Sequence, residues 1–565
     1  MLALELDKVS YRYPLASSEA LKNISLTLGE RESLLLAGRT GAGKSTLTRI
    51  PNNILTQYFS GTLQGRTSVF GQDIKGKSVQ ELSSAVGLVF QDYEAQLFST
   101  SVLKEVAFGP ENLGLKREET KERIKDALER VGLTGFEKRD PATLSGGEKQ
   151  RLAIASLLAC RPKFVIMDEP TTDLDPDGRR RIVEISRTLQ GEGATILVVS
   201  LDIEDWAFIK RTTILRAGEL VFDNVMEKAW KDSDMLLKNG VRPSPIVELF
   251  NRLQIPLSSR TANHSDFSLP LLNQYGYKFS EESYETLLKK ENPSSAIMSR
   301  EIIGVNTLTF NYAGRTPALK NISLSIKEGD FLAIIGANGS GKTTLLKILK
   351  GIIASPANNV LYQGLPINRY NPFDLGAKIG FVFQNPDHQI FQKTLWDELI
   401  FGPKNYGWSD AKIYSGAYHL MELLGLIGLE HMDPALLTKG ERQKLALASI
   451  LIMNPEVLIL DEPTTGLDYL EQREFMDLIS EYHSEGHTTI IVTHALWVVA
   501  EYAWRALVMR QGEIIYDGSV RSLFASPQIL ESASLCIQEL TKLGLETYGK
   551  VLLSVEEWMA CLKKS

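Results

Sequence analysis

Two stretches decide the fold: Gly38-Arg39-Thr40-Gly41-Ala42-Gly43-Lys44-Ser45 and, later, Gly336-Ala337-Asn338-Gly339-Ser340-Gly341-Lys342-Thr343. Each follows an apolar run and has the spacing GxxxxGK[ST], which is typical of a strand that turns through glycines into a helix. Such a loop presents backbone N–H groups and a helix N-terminus to phosphate oxygens. The sequence therefore predicts two nucleotide-phosphate sites, one in each half of the chain.

The bulk composition is that of an ordinary globular protein. The chain has 565 residues, 43% hydrophobic and 23% charged, with a net charge of −7. A chain of this length is too long to fold around one hydrophobic core. Its negative net charge predicts no nucleic-acid partner. The N-terminus has no basic start followed by an apolar run, and no stretch of about 18 apolar residues occurs. We therefore expect no signal peptide and no membrane-spanning helix, so any membrane role requires partners.

The two halves repeat one another. ALKNISLTL at 20–28 returns as ALKNISLSI at 318–326, and in both halves strand patterns alternate with helical ones. This alternation predicts the α/β class: two tandem P-loop domains, each with a mainly parallel sheet and a small C-terminal tail. The family resemblance given below implies that each domain also has an antiparallel β part and a helical subdomain. The predicted boundaries are 1–235 for domain 1, 236–299 for its accessory segment and linker, 300–525 for domain 2, and 526–565 for the second accessory segment.

Acidic pairs follow a buried strand in both halves, as Asp168-Glu169 and Asp461-Glu462. The carboxyl end of a parallel strand lies beside the glycine loop, so these side chains face the bound phosphates. We expect the aspartates to orient Mg²⁺ and the glutamates to polarise an attacking water.

The loop residues have matching roles. Lys44 and Lys342 would place a positive charge on the β- and γ-phosphates, and the hydroxyls of Ser45 and Thr343 would face Mg²⁺.

A further motif carries a family resemblance. Leu144-Ser145-Gly146-Gly147-Glu148, followed by KQR, resembles the signature of ABC-type ATPases. Together with Gln91, Gln384, His494 and the segments TTDLD and TTGLD, it makes each half similar to an ABC nucleotide-binding domain over nearly its whole length.

The resemblance implies that ATP and Mg²⁺ are bound between two domains that pair head to tail within one chain, the loop of one facing the signature of the other. It implies the catalytic residues Glu462, His494, Gln384, Glu169 and Gln91. The implied nucleotide-binding residues are Gly38, Gly41, Gly43, Lys44, Ser45, Thr46, Gly336, Gly339, Gly341, Lys342, Thr343, Thr344, Ser145, Gly146, Gly147, Tyr13 and Tyr312, the two tyrosines either stacking on adenine or simply packing. The implied Mg²⁺ residues are Ser45, Asp168, Thr343, Asp461, Gln91 and Gln384.

The halves depart from the family pattern at two points. Leu201 stands where the second half has His494, and Lys439 stands where the first half has Gly146. In a head-to-tail pair both changes fall in the site of Lys44, which predicts one complete and one impaired catalytic site. Pro51, behind the first glycine loop, predicts a shortened or kinked helix.

The segments QDYEAQLFSTSVLKEVAFGPENLG at 91–114 and QNPDHQIFQKTLWDELIFGPKNYG at 384–407 resemble those of ATPases of energy-coupling factor transporters, bacterial importers of vitamins and transition metals. This implies a peripheral protein on the cytoplasmic face of the cell membrane, with a transmembrane coupling subunit and a separate membrane substrate-binding subunit. The alternative is a soluble tandem ABC ATPase acting on ribosomes or translation. Such factors have a long charged helical linker, whereas residues 236–298 are mixed in charge and contain prolines.

Overall fold

A computed structural model describes residues 1–14, 16, 18–172, 174–256, 269–290, 300–312 and 317–564. The chain divides into two compact units, Met1–Val247 with Asp468–Leu470, and Glu248–Leu467 with Glu471–Ser565. Residues 257–268 and 291–299, which belong to the predicted accessory segment and linker at 236–299, lie outside the described residues. The domain boundaries given by the sequence stay predictions.

The first half contains two sheets. Its strands are β1 (Leu2–Arg12), β2 (Leu21–Gly29), β3 (Ser33–Gly38), β4 (Thr62–Val69), β5 (Gln72–Asp73), β6 (Val86–Val89), β7 (Phe164–Asp168), β8 (Thr195–Val199), β9 (Arg211–Arg216) and β10 (Glu219–Val225). One sheet is antiparallel in the order β2-β1-β4-β5, and the other has the order β10-β9-β3-β8-β7-β6. In the latter every pairing is parallel except β9 with β10.

Helices connect the parallel strands and form a helical subdomain. They are α1 (Lys44–Thr48), α2 (Ile54–Tyr58), α3 (Val79–Leu82), α4 (Val102–Asn112), α5 (Arg117–Arg130), α6 (Gly146–Ala159), α7 (Pro176–Gly191), α8 (Met226–Lys231), α9 (Ser233–Lys238) and α10 (Pro245–Arg252). In the helical subdomain α4, α5 and α6 pack on one another.

The second half repeats this arrangement after a short accessory part with α11 (Leu269–Gln274), β11 (Tyr277–Phe279) and α12 (Glu281–Lys290). Its strands are β12 (Glu301–Phe310), β13 (Leu319–Lys327), β14 (Phe331–Ile335), β15 (Val360–Tyr362), β16 (Leu365–Pro366), β17 (Ile379–Val382), β18 (Val457–Asp461), β19 (Thr488–Val492), β20 (Arg505–Arg510), β21 (Glu513–Ser519) and β22 (Leu562–Lys564). The sheet orders are β13-β12-β15-β16 and β17-β18-β19-β14-β20-β21.

The remaining helices complete the second unit. They are α13 (Lys342–Leu349), α14 (Pro372–Lys378), α15 (Leu395–Asn405), α16 (Asp410–Leu423), α17 (Lys439–Leu451), α18 (Tyr469–Ser484), α19 (Leu496–Tyr502), α20 (Val520–Phe524), α21 (Pro527–Ser532), α22 (Glu539–Tyr548) and α23 (Val555–Cys561). Two mainly parallel sheets with helical subdomains confirm the predicted fold class.

Burial explains why the strands that carry the site have no polar face. Every residue of β3, β7, β14 and β18 is buried, including the aspartates that end β7 and β18. Strands covered on both sides are typically continuous apolar runs. Polar side chains therefore begin where these strands end, and that edge of each sheet is where the candidate functional residues lie.

Pro51 interrupts the helix behind the first glycine loop, as predicted. Helix α1 ends at Thr48 after five residues, whereas α13 continues for eight. The chain then turns through Asn53, whose φ is 60°, before the short α2 begins. A proline lacks the N–H that a helix interior needs, which explains the early end of α1.

The accessory segments join in one small sheet within the second unit. β11 pairs antiparallel with β22, which ends the described chain, and α12 packs on α23. Arg521 forms an ion pair with Glu557 at 2.7 Å, and Lys550 forms another with Glu281 at 2.9 Å. The segment that precedes the second ATPase core is therefore bound to the segment that follows it.

Candidate functional site

The phosphate-binding loops have nearly the same geometry in both units. All six loop glycines named from the sequence have positive φ, and a Cβ built on Gly38 would lie 2.1 Å from the carbonyl oxygen of Leu215. Only glycine fits there. Lys44 Nζ donates to the carbonyls of the first two loop residues, at 2.9 Å each, and Lys342 Nζ does so at 2.7 and 3.0 Å. Both ammonium groups therefore lie across the loops where phosphate would bind.

Buried aspartates lie beside the loop hydroxyls. Thr343 Oγ1 donates to Asp461 Oδ1 at 3.3 Å, and Ser45 forms the corresponding hydrogen bond to Asp168. Burial raises the pKa of both carboxyl groups above the usual range, although the hydroxyls and the neighbouring loop lysines oppose that shift. A hydroxyl and a carboxylate oxygen at this edge are the hard oxygen ligands that Mg²⁺ prefers.

The glutamates that follow these aspartates occupy strained positions. Glu169 and Glu462 both have φ of 48°, and their N–H groups donate to Val199 and Val492 at 3.0 and 2.9 Å. A positive φ is uncommon for residues other than glycine and costs free energy that the surrounding fold must offset. Both units therefore repeat the same strained conformation at the residue that follows the buried aspartate.

The partners of the two glutamates differ. In the first unit Gln91 Nε2 donates to Glu169 Oε2 at 2.8 Å, and Lys44 Nζ lies 4.0 Å from Glu169 Oε1. In the second unit the backbone N–H of His494 donates to Glu462 Oε2 at 3.2 Å. The structure thus brings Gln91 to its glutamate. Gln91 and Gln384 are both exposed, just after β6 and β17.

His494 also contacts a residue that sequence reasoning did not single out. Its Nε2 lies 3.0 Å from Asn338 Oδ1 and 3.1 Å from Glu462 Oε1. With a hydrogen on Nε2, the imidazole would be a donor to these oxygens. In the first half, Thr40 matches Asn338 and Leu201 matches His494. Because the two halves differ at both positions, the sequence could have indicated that Asn338 and His494 lie together.

The signature segments begin helices in both units. Ser145 caps α6 and forms a reciprocal capping box with Glu148, and Thr438 does the same for α17 with Glu441. Gly146 is exposed at the start of α6, with its N–H among those that no helical carbonyl can pair. This end of the first unit's helix is suited to an anion.

Local packing explains how the second signature accommodates a lysine. A Cβ built on Gly146 would lie 3.0 Å from Tyr93 Oη, and Pro386 replaces that tyrosine in the second half. The Lys439 side chain instead lies over Gly466, where an added Cβ would be 2.7 Å from its Nζ. The Lys439 side chain therefore packs against the backbone at Gly466.

Comparison with known proteins identifies the family. A family model described as ABC transporter matches residues 21–172 and 319–465. The chain belongs to the ABC transporter family. It is an ABC-type ATPase, the ATP-hydrolysing subunit of a transporter, and its two domains bind ATP.

Two similar ABC proteins match most of the chain, and a solved structure matches a smaller part of it. A putative ABC transporter ATP-binding protein of Caldanaerobacter subterraneus is 39% identical, over 96% of this chain and 96% of its own. A putative HMP/thiamine import ATP-binding protein of Bacillus subtilis is 32% identical, over 92% of each. The solved structure of cbiO1 from Clostridium perfringens, described as part of the ABC transporter complex cbiONQ, is 34% identical with a TM-score of 0.38, over 41% of this chain and 94% of that one.

The two candidate adenine-stacking tyrosines of the ABC domains lie beside their loops. Tyr13 Oη is 3.1 Å from Thr46 Oγ1, and Tyr312 Oη is 3.4 Å from Thr344 Oγ1. Tyr13 is half-buried, with edge contacts to other rings that include Phe59 after α2, whereas Tyr312 is 41% exposed. Both rings lie near the helix that follows the loop, and stacking on adenine stays a prediction.

Among the described residues, no helix of this ABC protein combines the length and apolar character needed to cross a bilayer.

Proposed function

We propose that this ABC ATPase energises an importer of the energy-coupling factor type, and that one of its two composite sites performs most of the hydrolysis. The second part of this proposal rests on the residue beside each glutamate, which differs between the two halves. Glu462 Oε1 lies 3.1 Å from His494 Nε2, whereas the first unit has Leu201 at the position that matches the histidine. A leucine offers no hydrogen bond to a phosphate or to an attacking water.

The proposed working site follows the head-to-tail pairing of the family. It combines Lys342, Glu462 and His494 of the second domain with the signature Ser145–Gly147 of the first. Glu462 would accept the proton of the attacking water, and His494 Nε2–H would donate to the γ-phosphate in place of Asn338. The N–H groups at the start of α6 would stabilise charge on the same phosphate.

The other composite site would bind ATP and hydrolyse it slowly. It combines the intact loop lysine Lys44 and the glutamate Glu169 with Leu201 and with the altered signature at Lys439. Loss of one preorganised contact to a transition state typically costs about 10²–10³ in rate. Two such changes in one site support an impaired role.

The residues at each loop fit a Mg²⁺ ion. Ser45 with Asp168 and Thr343 with Asp461 would hold it, and the bound ion would neutralise charge on the phosphates. Because the aspartates are buried and their pKa values are raised, a cation at this position would also favour their ionised form.

Asp461→Asn is expected to raise the Mg²⁺ concentration that supports half-maximal hydrolysis by about 10–100-fold. Asp168→Asn is expected to change it by less than about threefold, because its site contributes little turnover. Steady-state ATPase assays across a Mg²⁺ titration measure this, and Mn²⁺ binding followed by electron paramagnetic resonance gives a readout independent of turnover. Equal shifts in both variants would contradict the assignment of the working site.

Surfaces next to Gln91 and Gln384 support the importer part of the proposal. Phe98 and Phe108 form an edge-to-face pair with centroids 4.7 Å apart, and Phe391 and Phe401 form the same pair at 4.8 Å. All four rings are exposed, so packing of the subdomain does not account for them.

A cavity of about 750 Å³ opens beside the first pair, and its lining includes Tyr58, Phe59, Phe98, Phe108 and Leu157. An apolar groove of this kind fits a helical segment of another protein.

The proposed partners are a transmembrane coupling subunit and a separate membrane subunit that binds the substrate, with the ATPase on the cytoplasmic face of the membrane. The thiamine-import name of the Bacillus subtilis relative supports a vitamin or vitamin precursor as cargo. A transition metal is the other class that the resemblance implies.

A gentle detergent pull-down of the tagged chain from native membranes, with mass spectrometry, tests this function. We expect a polytopic membrane protein together with a small hydrophobic binding protein, whose ligand would name the cargo. Phe98→Asp and Phe391→Asp are expected to reduce recovery of the polytopic protein by about tenfold, a loss typical of an interface anchor.

The matched control is Ile515→Asp, an exposed apolar residue of β21. It should leave recovery unchanged. Ribosomal proteins in place of membrane partners would overturn the importer and leave the ATPase assignment standing.

A further inference from the structure

The outer face of α16 has an unusual composition. Asp410, Tyr414, Tyr418 and Glu422 follow one another at intervals of four residues, which places them on one side of the helix. Tyr414 is 53% exposed and Tyr418 is 45% exposed. The opposite side of α16 provides the buried contacts, through Ile413, Ala417 and Met421. The two tyrosines therefore lie outside the buried side of α16.

A tryptophan from the neighbouring helix completes a cluster of three rings. The centroid of Trp396 lies 5.0 Å from that of Tyr414 and 5.3 Å from that of Tyr418. The two tyrosine rings are nearly parallel, with centroids 6.3 Å apart. We call Trp396, Tyr414 and Tyr418 the aromatic stripe. Large, rigid side chains grouped at a surface are typical of the anchoring centre of a protein interface.

The first unit provides an internal comparison. Helix α5 has the same length as α16 and buries Ile124 and Leu128 at positions that match Ala417 and Met421. Its outer face, however, has Lys121 and Lys125 where the stripe has tyrosines. The same fold thus forms without the rings, so their presence in the second unit calls for a function of its own.

The charged side chains around the aromatic stripe indicate which kind of partner it would bind. Asp410 and Glu422 flank the two tyrosines along the helix, and both are exposed. Lys412 is engaged nearby, with its Nζ 3.4 Å from the centroid of Trp408. Ring faces between carboxylates favour cations as well as apolar groups, since the faces of aromatic rings attract Lys and Arg. At the matching positions α5 has Arg117 in place of Asp410 and keeps an acid, Glu129, in place of Glu422.

We propose that the aromatic stripe is a docking surface for a basic amphipathic helix of a protein partner. Apolar side chains of that helix would lie on the three rings, and its Lys or Arg residues would face Asp410 and Glu422. Because the first unit has lysines at this place, the partner binds the second unit alone. This inference does not depend on which transporter the ATPase serves.

Site-specific photo-crosslinking in the source cells tests the proposal. Benzoylphenylalanine at Tyr418 of the full chain is expected to crosslink to one helical segment with basic and apolar faces, identified by peptide-level mass spectrometry. The matched probe at Lys125 should not capture that segment. Tyr414→Lys, which introduces the residue of the first unit, should lower the yield from Tyr418 by about tenfold, as loss of an interface anchor does.

The purified Tyr414→Lys chain should hydrolyse ATP at the normal rate, which separates docking from folding. As a direct measure of the chemistry, a short helix built from leucine and lysine should bind the full chain, and its leucine–glutamate counterpart should not. Crosslinks to a second copy of this chain, to lipid or to an acidic segment would overturn the proposal. So would equal capture from Lys125, or no capture at Tyr418.

Discussion

Glu462→Gln is expected to reduce steady-state ATP turnover by about 10²–10³-fold, whereas Glu169→Gln should reduce it by less than about threefold. The amide keeps the shape of the side chain and can still accept the hydrogen bond from the backbone N–H of His494, now 3.2 Å from Glu462 Oε2. What it loses is the capacity to take a proton from water. The difference between the variants arises because only Glu462 has a histidine beside it.

Turnover of MgATP by purified protein measures this effect, and binding of radiolabelled ATP provides the control. Both variants should still bind ATP, since the two glycine loops and their lysines, Lys44 and Lys342, are retained. His494→Ala should resemble Glu462→Gln. If the two glutamine variants lost activity to the same extent, the proposed asymmetry of the sites would be wrong.

Leu201→His combined with Lys439→Gly is expected to raise turnover by about 10²-fold in a protein whose working site is disabled by Glu462→Gln. The histidine would restore a donor toward the γ-phosphate, and the glycine would restore close approach of the signature backbone. Thr438 still caps α17, so the helix start should persist. Steady-state hydrolysis in the triple variant measures the gain.

Adding Thr40→Asn should increase this gain further, because the second loop holds its histidine donor 3.0 Å from Asn338 Oδ1. Each single change should have a smaller effect than the pair. A folded, ATP-binding variant that shows no gain would indicate that Leu201 and Lys439 are not the cause of the impairment.

Several features could be predicted from the sequence because the information is local. The glycine loops, the acidic pairs and the serine that caps α6 each lie within a few consecutive residues, and their chemistry fixes the adjoining strand or helix. The effect of Pro51 is local as well, because a proline lacks the N–H that would continue α1, whatever surrounds the helix. The repetition of these motifs at matched positions also predicted the tandem α/β domains.

Contacts between distant residues could not be predicted in this way. Asn338 and His494 are far apart in sequence, and only the adjacent carboxyl ends of β14 and β19 bring their side chains within 3.0 Å. The pairing of β11 with β22 likewise joins segments on either side of a whole ATPase core.

For this protein, the sequence by itself determined the family, the fold class and the candidate catalytic residues, because those depend on short motifs and their repetition. The tertiary structure alone decided which partners each glutamate has, how Lys439 fits over Gly466, and that Trp396 joins the tyrosines of α16. These depend on side chains from separate elements approaching within a few ångströms, and such distances are set by packing of the whole domain.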